Sequence, residues 1–255
     1  MVASGGHQGS GVRSRSSLDE AIVQYRPDAK PRYDTAAMDV TVVDHPLAQH
    51  LLTRIRDRQT PPPLFRELAK RLTTLIVLEA VRRLPSVEVV VETPLEPAHG
   101  RVVSPDLVAV PILRAGLGML EAVSDLFPEI TVGYIGLERD DETLAPMTYY
   151  EKLPQVDGRN VLLLDPMLAT GGSAAHACTI IRRARPVQIA FACIVAAPEG
   201  LARMEREHPD VPVYTGAIDR ELNDTGYILP GLGDFGDRLF GTGPQSGLRR
   251  SPQTG

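Results

Sequence analysis

The stretch Leu162-Leu163-Leu164-Asp165-Pro166-Met167-Leu168-Ala169-Thr170-Gly171-Gly172-Ser173 constrains this chain more than any other. An apolar run of strand length ends in a carboxylate, and a short loop then offers Thr-Gly-Gly-Ser where a helical pattern, Ser173–Ala184, begins. Glycines let backbone N–H groups crowd around an anion, and a helix start adds roughly half a positive charge. Thr170 and Ser173 add hydroxyl donors. The loop therefore reads as a cradle for a monophosphate, with Asp165 placed to accept hydrogen bonds from a sugar diol. It is not a P-loop, because GxxxxGK[ST] is absent. Taken alone, Ser173 would read as a helix cap and Asp165 as a loop acid.

The surrounding pattern sets the fold class. Apolar runs at Met38–Val42, Leu107–Leu113, Ile130–Leu137, Asn160–Leu164, Val187–Val195 and Val211–Thr215 read as strands. Helical patterns lie at His45–Arg58, Leu64–Leu84, Leu117–Phe127, Ser173–Ala184 and Pro198–Glu207. Alternating near-continuous apolar strands with helices predicts a doubly wound, mainly parallel sheet flanked by helices. Ligands of such sheets bind beyond the carboxyl ends of the strands. Three segments fall there: Arg114–Gly118, Glu138–Tyr150 and Asp165–Ser173. Residues 138–152, polar with one proline and two tyrosines, read as a long loop or flap. Residues 1–37 and 243–255, rich in Gly, Ser, Pro and Arg, read as a disordered extension and a flexible tail around a folded domain at 38–242.

Composition narrows the chemistry. Lys+Arg is 27 against Asp+Glu 32, a net charge of −5. That balance and the 5% aromatic content argue against nucleic acid as a partner. Cys178 and Cys193 stand apart in apolar text and read as buried free thiols, not metal ligands. His45, His99, His176 and His208 read as structural or exposed. No apolar run has the length of a membrane span, and the N-terminus lacks the apolar core of a signal peptide, so a cytoplasmic location is expected.

The 162–173 stretch resembles the phosphoribosyl-diphosphate-binding motif of type I phosphoribosyltransferases, in the wording of the uracil phosphoribosyltransferase branch. Purine-using relatives carry a second acid at the strand end, where this chain has Pro166. The segment 110–119, Val-Pro-Ile-Leu-Arg-Ala-Gly-Leu-Gly-Met, resembles the family's pyrophosphate loop. The resemblance implies a non-proline cis peptide there, with Arg114–Ala115 as the candidate. Arg139 matches the flap arginine, and Tyr149, Lys152 and Leu153 continue that pattern. Residues 226–238 resemble the C-terminal segment that recognises uracil. Its GxGxxG (231–236) and Asp-Phe-Gly (234–236) are decoys without the context of a dinucleotide or kinase site.

The resemblance covers about 38–242 and implies transfer of a phosphoribosyl group to uracil, giving UMP and diphosphate. It implies Asp165, Arg114, Arg139 and Asp234 as catalytic. Arg114, Arg139, Asp165, Pro166, Met167, Leu168, Ala169, Thr170, Gly171, Gly172, Ser173 and Asp234 would bind phosphoribosyl diphosphate. Ile228, Gly233, Asp234 and Phe235 would bind uracil through main-chain groups, since uracil's edge alternates N–H and C=O. No protein metal site is expected, and Mg²⁺ would travel mainly on the diphosphate. The family also implies a homodimer or larger homo-oligomer and GTP as an activator, without a residue to carry either. Two other readings are a non-catalytic sensor of phosphoribosyl diphosphate or UMP and a transferase for another base.

Overall fold

The structure, a computed structural model, describes residues 38–103, 106–139 and 146–242, with the backbone alone for Arg139 and Pro146. The readings of 1–37 and 243–255, and of the flap at 140–145, lie outside the described residues. In chain order the strands are β1 Val40–Val42, β2 Ser86–Glu92, β3 Pro97–Val103, β4 Leu107–Leu113, β5 Thr131–Val132, β6 Tyr134–Arg139, β7 Pro146–Lys152, β8 Asn160–Leu164, β9 Met167–Leu168, β10 Gln188–Ala196, β11 Val213–Ile218, β12 Glu221–Leu222 and β13 Ile228–Leu229. The helices are α1 Pro46–Arg56, α2 Pro62–Ala80, α3 Leu117–Leu126, α4 Gly172–Arg183, α5 Pro198–Glu207 and α6 Phe235–Phe240.

Among the described residues the main sheet runs β1-β11-β10-β8-β4-β6-β7, with β5 beside β4 and β9 beside β10. All pairings are parallel except β6 with β7. β8 is apolar from Val161 to Leu164 because both its faces are covered. Leu162 and Leu164 join a core with α1, α2 and α3, while Val161 and Leu163 join one with α4 and α5. That alternation is the period-two geometry of a strand between two helical layers. Helix starts follow local chemistry. His45 caps α1 by accepting from the Leu47 amide at 3.0 Å, and prolines open α1, α2 and α5.

The winding reverses between two neighbouring strands. From β4 the chain crosses through α3 to β5 and β6 on one side. From β8 it crosses through α4 to β10 on the other. The crevice at the carboxyl ends of β4 and β8 is thus the topological switch point of the sheet.

Three sequence expectations change. The flap reading of 138–152 is half strand: β7 pairs antiparallel with β6, Tyr134 opposite Lys152, so the segment returns as a hairpin arm. Its tyrosines favour a pleated edge over a loop. Residues 86–103, given no element above, form the separate β2–β3 hairpin, whose Val87, Val90 and Val91 stay exposed. The segment 226–238, also given no element above, carries β13 and the start of α6. β13 pairs with β12, and Asp234 caps α6 by accepting from the Asp237 amide at 2.7 Å. The histidine readings hold: His208 is buried against the Ala175 carbonyl, His176 meets the Thr148 hydroxyl, and His99 is exposed.

Cys178 and Cys193 are free and buried on α4 and β10, and burial pushes both thiols up to about 12. A thiol-blocking reagent at pH 8 is therefore expected to leave both unlabelled in the native chain and to label both in denaturant, measured by intact mass.

Candidate functional site

A cleft of about 330 Å³ opens at the switch point. It exists because β4 and β8 run side by side in register, Leu107 opposite Asn160 through Pro111 opposite Leu164. The turns that follow therefore emerge together, and Arg114 and Asp165 line the same cleft. The third contributor is the C-terminal segment, through Gly226–Ile228 and Gly233–Gly236.

The turn after β4 is tight. The Gly116 amide donates to the Ile112 carbonyl at 2.8 Å, and the peptide Leu113–Arg114 is cis. The non-proline cis bond thus lies one residue earlier than the Arg114–Ala115 position expected above. The reversal occurs as the chain leaves the strand, before the arginine, not after it. Arg114 is exposed, with its guanidinium 5.9 Å from the centre of the Phe240 ring on α6.

The loop after β8 is clamped to its neighbour. The Pro166 carbonyl accepts from the amides of Ile194 and Val195, and the Leu168 carbonyl accepts from Ala197. Gly171 lies at φ +74°, in the left-handed region, and a Cβ there would stand 2.8 Å from the Gly200 carbonyl oxygen. Gly200 in turn has no room for a side chain beneath Ala169 and Leu168. The glycines thus serve packing against α5 as well as access to the backbone. The N-cap of α4 is Gly171, with no side-chain cap, so Ser173 is not spent as a cap and its residue lines the cleft. Among the described residues the amides of Gly171, Ser173 and Ala174 have no hydrogen-bond acceptor. That of Gly172 reaches only Thr170 Oγ1 at 3.4 Å. A helix start with free amides and no acid in its first turn suits an anion.

Asp165 is half-buried at the strand end and accepts from the Met167 amide at 3.4 Å. Burial pushes its carboxyl up to about 7, against the lowering effect of that one amide. The carboxylate is thus poorly satisfied until donors arrive.

The structure brings Arg114, Asp165, Met167, Ala169, Ser173, Ile228, Gly233, Asp234 and Phe235 to the cleft. Pro166, Leu168, Gly171 and Gly172 are buried and Thr170 is exposed; none of them lines the cleft, Leu168 being packed in the core. Arg139 ends β6, with its side chain outside the described residues. Asp234 is partly committed as the α6 cap. Ala115, Gly226, Tyr227 and Gly236 also line the cleft and were not singled out beforehand. Tyr227 beside Ile228 was the signal available, an aromatic next to an expected base-facing residue. Among the described residues no group of three His, Cys, Asp or Glu side chains gathers to hold a metal ion. No helix of the described residues is long and apolar enough to cross a membrane.

The sequence pattern of the family described as uracil phosphoribosyltransferase matches residues 42–242. A uracil phosphoribosyltransferase of Dictyoglomus turgidum is 55% identical over 205 residues, 80% of this chain and 99% of that one. One from Geobacillus sp. (strain WCH70) is 51% identical over 80% of this chain and 98% of its own. The solved structure of the AQ2163 protein from Aquifex aeolicus is 39% identical. It superposes with a TM-score of 0.76 over 79% of this chain and 97% of that chain.

The raised carboxyl of Asp165 carries a stability consequence. Below the unfolded value of 3.8 the group is protonated in both states and costs nothing. As pH rises towards about 7 the unfolded chain ionises and the folded one resists, so stability is lost across that window. Asp165→Asn removes this cost. Allowing for solvent screening, the variant is expected to gain ~2 kcal/mol at pH 8, roughly 4–8 °C in Tm, and almost nothing near pH 4. Thermal unfolding followed by circular dichroism at both pH values checks it.

Proposed function

The chain belongs to the uracil phosphoribosyltransferase family, and from that membership we propose that it transfers a phosphoribosyl group from 5-phospho-α-D-ribose 1-diphosphate to uracil, forming UMP and diphosphate in pyrimidine salvage. The observation that carries the reading is the convergence of three parts on one cleft: Arg114 after β4, Asp165 with the Ser173 helix start after β8, and the Gly233–Phe235 strip. The domain that performs it spans 38–242.

In this reading the 5-phosphate takes the amides of Gly171, Ser173 and Ala174 and the hydroxyls of Thr170 and Ser173. Asp165 accepts from the ribose hydroxyls, which supply the donors its carboxylate lacks. Its negative charge then favours the oxocarbenium character of the ribose ring as the bond to diphosphate breaks. Arg114, stacked near Phe240, and Arg139 from the flap arm hold the leaving diphosphate, for which a planar guanidinium is the matched donor. Uracil lies along the main chain of Ile228 and Gly233–Phe235. Among the described residues the amides of Gly233, Asp234 and Phe235 have no acceptor of their own.

Mg²⁺ comes with the diphosphate as part of the substrate, its charge offset by those oxygens, and Asp234 stands on the same cleft. No covalent nucleophile is needed, because both reactants are held and the charges that separate are matched. Family membership also supports a homodimer or larger homo-oligomer, GTP as an activator and a cytoplasmic enzyme.

A panel of uracil, cytosine, orotate, hypoxanthine and guanine with phosphoribosyl diphosphate and Mg²⁺, followed by diphosphate release, tests this. UMP from uracil alone is the expected result. Release with a purine or orotate instead, or with no base, sinks it. Arg114→Ala and Asp165→Asn are expected to lose at least 100-fold in kcat/KM while staying folded. In the parent enzyme kcat/KM should climb as pH rises through about 7, because only ionised Asp165 serves the cationic ring.

A further inference from the structure

We propose that Arg56 and Asp219 are positioning residues that set where the acceptor base lies, by locking both backbone groups of Gly231; this rests on reading 228–235 as the uracil strip. Neither side chain lines the cleft. Asp219 follows β11, is only 5% exposed and holds Arg56 with both oxygens, Oδ1 at 2.5 Å and Oδ2 at 2.8 Å. The same Oδ2 accepts from the Gly231 amide at 2.9 Å, and Arg56 Nη1 donates to the Gly231 carbonyl at 2.7 Å.

Gly231 is a sensitive place to grip. It lies at φ +60°, and a Cβ there would stand 2.1 Å from the Ile228 carbonyl oxygen. The turn from Ile228 to Gly231 is thus closed on itself. Ile228 at one end and Gly233 just beyond the other both line the cleft. Fixing Gly231 therefore fixes the two flanks of the strip together.

A second clamp points to the same anchor. Arg238 donates to the Leu232 carbonyl at 2.7 Å and to the Ile55 and Asp57 carbonyls at 2.6 Å each, with its guanidinium 4.4 Å from the centre of the Phe65 ring. Phe65 meets Phe235 edge-on at 5.1 Å between ring centres. The strip is thus tied to the carboxyl end of α1 at Ile55–Asp57, whereas the ribose and phosphate groups are held by loops of the sheet. The distance between the two reactants depends on these ties. A base attacking an anomeric carbon tolerates little misplacement, on the order of 100-fold in rate for 1 Å.

The full chain carries the test, as Arg56→Met, Arg56→Lys and Asp219→Asn. Lys70→Met is the control: it breaks the pairs of Lys70 with Glu121 and Asp125 between α2 and α3, away from the cleft. Kinetics are run with each substrate varied against saturating amounts of the other. Arg56→Met and Asp219→Asn are expected to raise KM for uracil at least tenfold and to leave KM for phosphoribosyl diphosphate within twofold. Arg56→Lys should recover part of the loss, because an ammonium keeps the ion pair but lacks the fork that also reaches Gly231. Lys70→Met should move neither constant.

A folded Arg56→Met or Asp219→Asn with unchanged KM for uracil, or with both constants rising together, overturns the proposal. So does the same split in Lys70→Met. Should Arg56→Met not fold, Arg56→Lys is judged by the same two constants. An unmodified chain that forms no UMP overturns the uracil reading and this inference with it; an active chain with unmoved variants overturns this inference alone.

Discussion

The parallel pairing of β4 with β8 is the constraint on which the site depends. In a parallel ladder neighbouring strands end at the same edge. The Pro111–Leu164 pairing thus sets the levels at which Arg114 and Asp165 leave the sheet. The crossovers from these strands diverge to opposite sides, so α3 and α4 run away from the gap and only the start of α4, at Ser173, reaches it. A cation, Arg114, and a carboxylate, Asp165, therefore face one crevice without any contact between distant loops having to be specified.

Two costs are tolerated at that crevice. Asp165 is held where burial opposes its charge, and its one backbone donor, Met167, is distant at 3.4 Å. Among the described residues the amides of Gly171, Ser173 and Ala174, at the start of α4, are left without acceptors. Both deficits are of the kind a sugar phosphate makes good: diol donors for the carboxylate, phosphate oxygens for the amides. The clamp of residues 166–168 onto β10 and the fit of Gly171 against Gly200 keep the loop from relieving these deficits by collapse. The cleft is thus preorganised for a ligand before one arrives.

The C-terminal side of the cleft is built differently. The strip from Ile228 to Phe235 belongs to no long strand, and α6 is a short helix. Its order comes from side chains reaching over it: Arg56 with Asp219 on Gly231, Arg238 on Leu232, and the Phe65–Phe235 contact beneath. A main-chain surface can match uracil's alternating edge only while its own carbonyls and amides keep their direction. In this chain, side chains from outside the cleft hold them: Arg56 and Arg238 donate to the carbonyls of Gly231 and Leu232, and Asp219 accepts from the Gly231 amide.

Local order along the chain was enough to read much of this. The apolar runs of β4, β8 and β10 announced a two-faced sheet because both faces are buried, and Leu162–Ser173 announced a loop built for a phosphate because glycines and hydroxyls stand at a helix start. Strand β7 and the β2–β3 hairpin escaped the reading: their residues pair at an edge or outside the core, where no strong burial pattern is imposed. The role of Ser173 was ambiguous until α4 began at Gly172, which left the serine uncapping and lining the cleft. The partnership of Arg56, Asp219 and Gly231 was beyond reach, since it spans 175 residues of chain and leaves no periodicity. Sequence alone determined the core strands and helices and the chemical kit, because burial and turn chemistry act on near neighbours. Tertiary structure alone decided which charges meet, because that depends on strand register and on side chains that bridge distant segments.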